Sequence, residues 1–376
     1  LPENVIPEIG CWFWNESDFQ PEGYRTFLDL VGQHAGFRLL TASLRVPARE
    51  VTEPAVREQI GRAAAYAARY DLKLVVDLDV RLARRAFAEA HPEECQEMLR
   101  WRPVEIGTNR EVELRITAEV PGDHYTFATT PYVPLASRLV RAYACRVEGG
   151  LVDPDSVNDV TELCRVTAAT TNELRVMITG EERTRGRQVI VGAAFAHFTP
   201  DVFAPHLMTF QREILAAYRG LPLAGACKDE WGFPPCFDGN PAHDDFWFSR
   251  FHAVAYARHT GGRDLVRDTL LMGRPERGRE RERLAAINHF QQLAWQRNAA
   301  LEEDFYRAVK ETFGPAAVVA THPTWWPHPD RREFKKNGGQ PPPTRPLPSK
   351  DQVEAVGIAQ GQLKTRDWSG CMQTAI

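Results

Sequence analysis

Roughly the first eighty residues carry three apolar runs, two of them followed by an amphipathic segment, and this alternation constrains the fold more than any other feature. Residues 5–14 (VIPEIGCWFW) read as a first strand ending in the aromatic pair Trp12 and Trp14. Residues 24–36 set Phe27, Leu28, Leu30 and Val31 at helical spacing, with Gly36 as the C-cap. Residues 37–45 (FRLLTASLR) form a second strand that ends in Arg45 and is closed by Pro47. Residues 52–70 read as a helix capped by Thr52, with Val56, Ile60, Ala63, Ala64 and Ala67 on one face. Residues 72–79 (LKLVVDLD) are a third buried-type strand with Asp77 and Asp79 near its carboxyl end. Apolar strands separated by helices pair in parallel, because parallel neighbours need a crossover, and that crossover is almost always right-handed. No G-x-G-x-x-G follows the first strand and no G-x-x-x-x-G-K-[ST] occurs, so the usual nucleotide-binding reasons for an open doubly wound sheet are missing. The expected fold class is α/β, a (β/α)8 TIM-type barrel.

After a segment read as helical over 81–101, the texture changes. Residues 111–119 alternate with period two, and 125–132, 138–147, 160–167, 173–179 and 188–197 also look extended, separated by Gly, Asp, Pro and Asn clusters. Short strands without intervening helices indicate an antiparallel sheet or small sandwich, inserted in one βα connection. The α/β rhythm returns with a helix over 201–218 and then the run 221–235 (LPLAGACKDEWGFPP). This run begins as a small apolar strand and ends in Lys228, Asp229, Glu230 and Trp231 before Gly and two prolines forbid continuation. Helices are expected over 245–258, 264–272 and 281–313, and a fifth strand over 316–322, running into His322, Trp325 and Trp326.

The expected organisation is therefore 1–103 as the first part of the barrel, 104–199 as an inserted β-rich module, 200–336 as the barrel's continuation and 337–376 as an irregular tail. Gly338, Gly339 and the Pro341–Pro348 region allow neither helix nor central strand. A barrel needs eight strands and about five are visible, so the tail is expected to be out of register with the parent sequence, the other reading being a disordered or extended tail.

Composition narrows the function classes. A net charge of -4 offers no global attraction for nucleic acid, and the basic run at 274–283 alternates with Glu276, Glu280 and Glu282 as a solvated surface would. No apolar stretch approaches the ~20 residues of a membrane span. The seven cysteines include no C-x-x-C pair, so neither zinc ribbons nor a disulfide framework are implied. Leu1 is followed by no basic and apolar leader, so the chain is expected to be soluble, cytoplasmic or secreted with its signal removed. No cofactor is expected.

In a barrel, the carboxyl ends of the strands converge on one face. Here they offer Trp12, Trp14, Arg45, Asp77, Asp79, Asp229, Glu230, Trp231, His322, Trp325 and Trp326. Carboxylates beside indoles suit a carbohydrate, whose C–H faces stack on aromatics while its hydroxyls take bonds from Asp, Glu and Arg. For each Trp the competing reading is ordinary packing. For Asp77 and Asp79, the i, i+2 spacing puts both on one strand face, and helix capping by one of them competes with a site role.

The strand order, the Asp229–Glu230 pair closing strand four and the tryptophan-rich rim resemble the clan-A glycoside hydrolases, in the broad β-galactosidase-like group, over about residues 5–103 and 200–335. The resemblance implies that Glu230 is the general acid/base, protonating the glycosidic oxygen and later deprotonating water. Asp229 stands where that clan usually carries Asn. The clan's nucleophile is a Glu closing strand seven, which is not visible, so the resemblance implies a chain inactive alone. Two other readings remain: a non-catalytic carbohydrate-binding protein, and a metal-dependent barrel hydrolase using His243, Asp244, Asp245, His322 or His328. The module at 104–199 has three open roles: binding glycan, covering the site or mediating oligomers.

Overall fold

The alternating units fold in chain order as β1 (Ile9–Trp14), α1 (Tyr24–His34), β2 (Leu39–Leu44), α2 (Pro54–Ala67) and β3 (Lys73–Asp77). They belong to a computed structural model that describes residues 9–35, 37–46, 48–118, 134–228, 245–321 and 373–375. β1, β2 and β3 pair in parallel, with Ile9 opposite Leu39 and Leu40 opposite Leu74. The cap of α2 falls on Glu53 and not on the expected Thr52. Pro54 at the first helical position accounts for this, since its fixed φ suits the first turn and its missing N–H would be unpaired there anyway.

A 3-10 turn at Val80–Ala83 and the short α3 (Arg84–Ala90) follow β3. The helix expected over 81–101 stops there, and β4 (Cys95–Glu105) begins. Residues Leu99, Arg100 and Trp101 are buried in succession, on both faces of that strand, which erases the period-two signal a sequence reader would look for. Next come β5 (Glu111–Thr117), β6 (Pro134–Cys145), β7 (Val147–Glu148), β8 (Leu151–Val152), β9 (Asn158–Asp159), β10 (Cys164–Ala169), β11 (Glu173–Thr179) and β12 (Gln188–Pro200). The strand read at 125–132 lies outside the described residues. β12 pairs antiparallel with both β4 and β6, while β11 sits between β10 and β5 in a separate three-stranded sheet.

The parallel sheet then resumes. α4 (Leu207–Ala217) leads to β13 (Gly225–Lys228), which pairs with β3 on one side. β14 (Asp245–Phe248), read as a helix start in the sequence, instead pairs antiparallel with β4. α5 (Arg250–Thr260), α6 (Leu265–Gly273) and the 34-residue α7 (Glu280–Phe313) lead to β15 (Val318–Thr321), parallel to β13. β16 (Gln373–Ala375) adds an antiparallel edge. The described parallel strands thus stand in the order β1-β2-β3-β13-β15, and no closed barrel is formed among the described residues. The fold is mixed α/β. None of the described helices is long and apolar enough to cross a membrane.

Packing separates the two faces of the parallel sheet. One face, with Leu40, Leu74, Val76 and Ala226, joins Leu28, Ile60, Leu215 and Phe305 of the helices and Leu99, Trp101 and Ile190 of the antiparallel sheet in one core. The other face carries a smaller cluster of Leu39, Val75, Cys227 and Ala320. A further core, including Ile116, Val176, Ile178, Val191 and Phe195, holds the two antiparallel sheets together. Gly225 is required where β13 starts: its φ is +154° and a Cβ there would lie 1.9 Å from the Val318 carbonyl oxygen.

Candidate functional site

Strand periodicity decides what each strand end presents. Trp12 and Trp14 share a face of β1, and both are buried. Their rings lie 4.7 Å apart; Trp12 stacks on Phe27 of α1 at 4.8 Å and Trp14 meets Phe19 edge-on at 5.3 Å. Both indoles therefore sit in the helix-covered core. Phe13, between them, is exposed, with the Arg45 guanidinium 5.0 Å from its ring centre.

The charged groups gather at the ends of β3 and β13. Asp77 closes β3 on the face shared with Val75, fully buried, and Ser43 Oγ of β2 donates to its Oδ2 at 2.5 Å. Arg81 Nη2 donates to the same oxygen at 3.3 Å. Asp79 leaves the strand and caps the following 3-10 turn, its Oδ1 accepting from the Arg81 N–H at 2.8 Å. Capping is thus one role of this residue, and it separates Asp79 from Asp77 in function although the two stay close. Among the described residues Asp79 Oδ2 is buried without a hydrogen-bond partner, with Arg81 Nε 3.9 Å away. The backbone N–H of Leu78 donates to the Cys227 carbonyl at 3.0 Å, tying this exit to β13.

Lys228, the last residue of β13, is 4% exposed and completes the group. Its ammonium lies 5.7 Å from the Phe305 ring centre on α7. Burial pulls the Lys228 ammonium below its ordinary value, while the charges of Glu302, Asp79, Asp304 and Asp77 resist that. Burial pushes Asp79 up to about 6, Arg81 and Lys228 pull it down, and the Asp77 charge adds to the rise. Buried ion networks shift pKa values whether they serve structure or a site, and this one stands at the carboxyl ends of two neighbouring parallel strands.

Of the sequence-selected residues, the structure brings Asp77 and Asp79 together and keeps Trp12, Trp14 and Arg45 on β1 and the exit of β2. Asp229, Glu230, Trp231, His322, Trp325 and Trp326 lie outside the described residues, as do His243, Asp244, His328 and the side chain of Asp245. Arg81 and Ser43 were not selected in the sequence, and Lys228 was read only as part of the charged end of its strand. Lys228 carries the one available signal, a cation ending an apolar strand.

A second cluster lies where the chain enters and leaves the antiparallel sheets. His91, Glu94 and His206 bring one ligand atom each within 4.8 Å of one another, the one such group of three among the described residues. His206 Nδ1 lies 2.6 Å from Glu94 Oε1, and the His206 N–H donates to Glu94 Oε2 at 3.2 Å. The imidazoles of His91 and His206 stack 4.2 Å apart, 5° from parallel. Nothing at sequence level joins them, since Glu94 and His206 stand 112 residues apart.

Fold and site define a mixed α/β protein with buried charges at the carboxyl ends of parallel strands. No protein family matches the sequence, and no curated protein matches it. Among solved structures the chain is similar to a rhamnosidase from Novosphingobium sp. PP1Y, with a TM-score of 0.36 and 11% identity over 84% of this chain. It spans 46% of that structure's length.

Proposed function

We propose that the chain is a glycoside hydrolase-like protein built on a (β/α) barrel-type sheet, with residues 104–199 as an inserted module, and that its carbohydrate site lies at the carboxyl ends of β3 and β13. The strand order supports the barrel reading: each parallel strand lies beside its predecessor, without the reversal that creates the switch point of a doubly wound sheet. The observation that carries the functional reading is the buried Asp77, Asp79, Arg81 and Lys228 group immediately before Asp229 and Glu230.

In this reading Glu230 is the proton donor to the glycosidic oxygen, and the Lys228 network is a positioning device. Its charges fix the end of β13 at Lys228 and lend that strand end a field that responds to protonation of Asp79. Trp12 and Trp14 then act as the packed wall behind the site, leaving the sugar-facing aromatic role to Trp231, Trp325 and Trp326.

The test is hydrolysis of a panel of aryl glycosides by the purified chain, with wild type and Glu230→Gln side by side. Turnover that falls at least about 100-fold in Glu230→Gln supports the assignment. Turnover unchanged in that variant removes Glu230 from the mechanism. Sugar binding by calorimetry without turnover is the outcome both for a glycoside hydrolase-like chain inactive alone and for a non-catalytic carbohydrate-binding protein, and neither binding nor turnover on any sugar of the panel refutes the proposal.

A further inference from the structure

We propose that His91, Glu94 and His206 form a binding site for a divalent transition-metal ion of the zinc class, placed at the root of the antiparallel sheets. Two imidazoles and one carboxylate are a donor set that suits zinc, and three protein ligands leave one position of a tetrahedral ion for water. Mg²⁺ and Ca²⁺, which favour all-oxygen ligands, are disfavoured by the same set.

The geometry is close to closure. An ion with bonds of about 2.05 Å places its donors roughly 3.3 Å apart in a tetrahedron. The three ligand atoms lie within 4.8 Å of one another, so closing the set takes a movement of up to about 1.5 Å and a turn of the His206 ring out of its parallel stack on His91, so that both lone pairs meet one ion. The His206 side chain, 56% exposed and standing at the start of α4, is free to make that shift. Glu94 supplies the fixed end, buried at 7% exposure at the foot of β4. On the apolar side, Phe87 contacts the His91 ring at 5.2 Å and Phe210 at 5.2 Å, so a wall of aromatics backs the cluster.

The arrangement also leaves a chemical need that an ion meets. Among the described residues the His91 ring meets only the rings of Phe87 and His206. Two stacked imidazoles and one buried carboxylate put three donor atoms at one place. A metal ion takes the ring nitrogens as neutral donors and offsets the buried carboxylate.

The site's place gives it a consequence. Glu94 precedes β4 and His206 follows β12, and the Asp201 N–H donates to the Glu94 carbonyl at 2.8 Å. An ion held there joins the entry and exit of the antiparallel sheets to the first turn of α4, the helix that leads into β13. Occupancy therefore raises the unfolding temperature by mass action.

The test uses the full chain, stripped with a chelator and titrated with ZnCl₂ in calorimetry and in competition with a chromophoric chelator. One Zn²⁺ per chain with micromolar or tighter Kd is expected, weakened at least about 30-fold in His206→Ala and in His91→Ala, with a Zn²⁺-dependent rise in Tm lost in both. Each variant's circular dichroism and metal-free Tm are measured first, and the Zn²⁺-dependent rise is read against that variant's own metal-free value. Co²⁺ supplies an independent readout, since its visible bands report nitrogen and oxygen ligands and lack the thiolate charge-transfer band that binding at the cysteines would give. Zn²⁺ binding that persists in the His91→Ala/His206→Ala double variant, a thiolate band with Co²⁺, or a wild-type Kd weaker than about 1 mM overturns the proposal.

Discussion

Replacing Asp79 by Asn isolates the energetic signature of the buried charge group. The ordinary value for an Asp carboxyl is 3.8, and in the fold burial lifts Asp79 to about 6. The folded protein therefore holds a proton that the unfolded chain has already released between those two values. Stability contributed by the protonated form is present at low pH and is lost as pH rises through that window. The gap of about two pH units corresponds to about 3 kcal/mol. About 0.5 kcal/mol of it has gone by pH 4 and nearly all by pH 8, leaving about 2.5 kcal/mol between the two. Asn keeps the side-chain oxygen that accepts from the Arg81 N–H and so preserves the cap. Urea unfolding followed by tryptophan fluorescence at both pH values reads the difference between variant and wild type. That difference is expected to favour the Asn variant by about 2.5 kcal/mol more at pH 8 than at pH 4. A difference that stays flat within ~0.5 kcal/mol, or that moves the other way, refutes the claim that Asp79 ionises against burial in the folded state.

Two further substitutions probe the same strand. Gly225→Ala puts a Cβ against the Val318 carbonyl at a φ that L side chains rarely adopt, and is expected to cost at least about 3 kcal/mol or to abolish soluble expression. A loss below ~1 kcal/mol in thermal unfolding would show that β13 and β15 have room to separate. Lys228→Met removes the cation facing Asp79 and Asp77, and is expected to cost about 3–5 kcal/mol at pH 8 and less at pH 5, where Asp79 carries its proton. Adding Asp79→Asn to it restores part of the loss, and a double variant as unstable as the sum of the single ones would mean that the two groups do not interact.

Local pattern carried the reading where each element had one buried face or a long helical stripe. β11 at Glu173–Thr179 shows it, with Leu174, Val176 and Ile178 inward and every second residue outward. α7 kept its period over 34 residues and was read within one residue of its ends. β4 and β14 failed for one shared reason. β4 is buried on both faces between β12 and β14, and β14 is short, so neither carries a period; their identity as strands comes from partners 83 or more residues away.

The sequence by itself determined the parallel order of the first strands, the insertion of antiparallel strands between β3 and β13, and the concentration of charge at two strand ends. Apolar period and turn residues are local, and they act before any tertiary contact exists. Only the tertiary structure decided which face each strand end presents. It turned Trp12 and Trp14 into the helix-covered core, set Asp79 to cap a turn, and placed Lys228 among carboxylates from β3 and α7. It also brought Glu94 to His206 across 112 residues. Burial and charge pairing depend on what lies opposite in space, and no spacing along the chain encodes that.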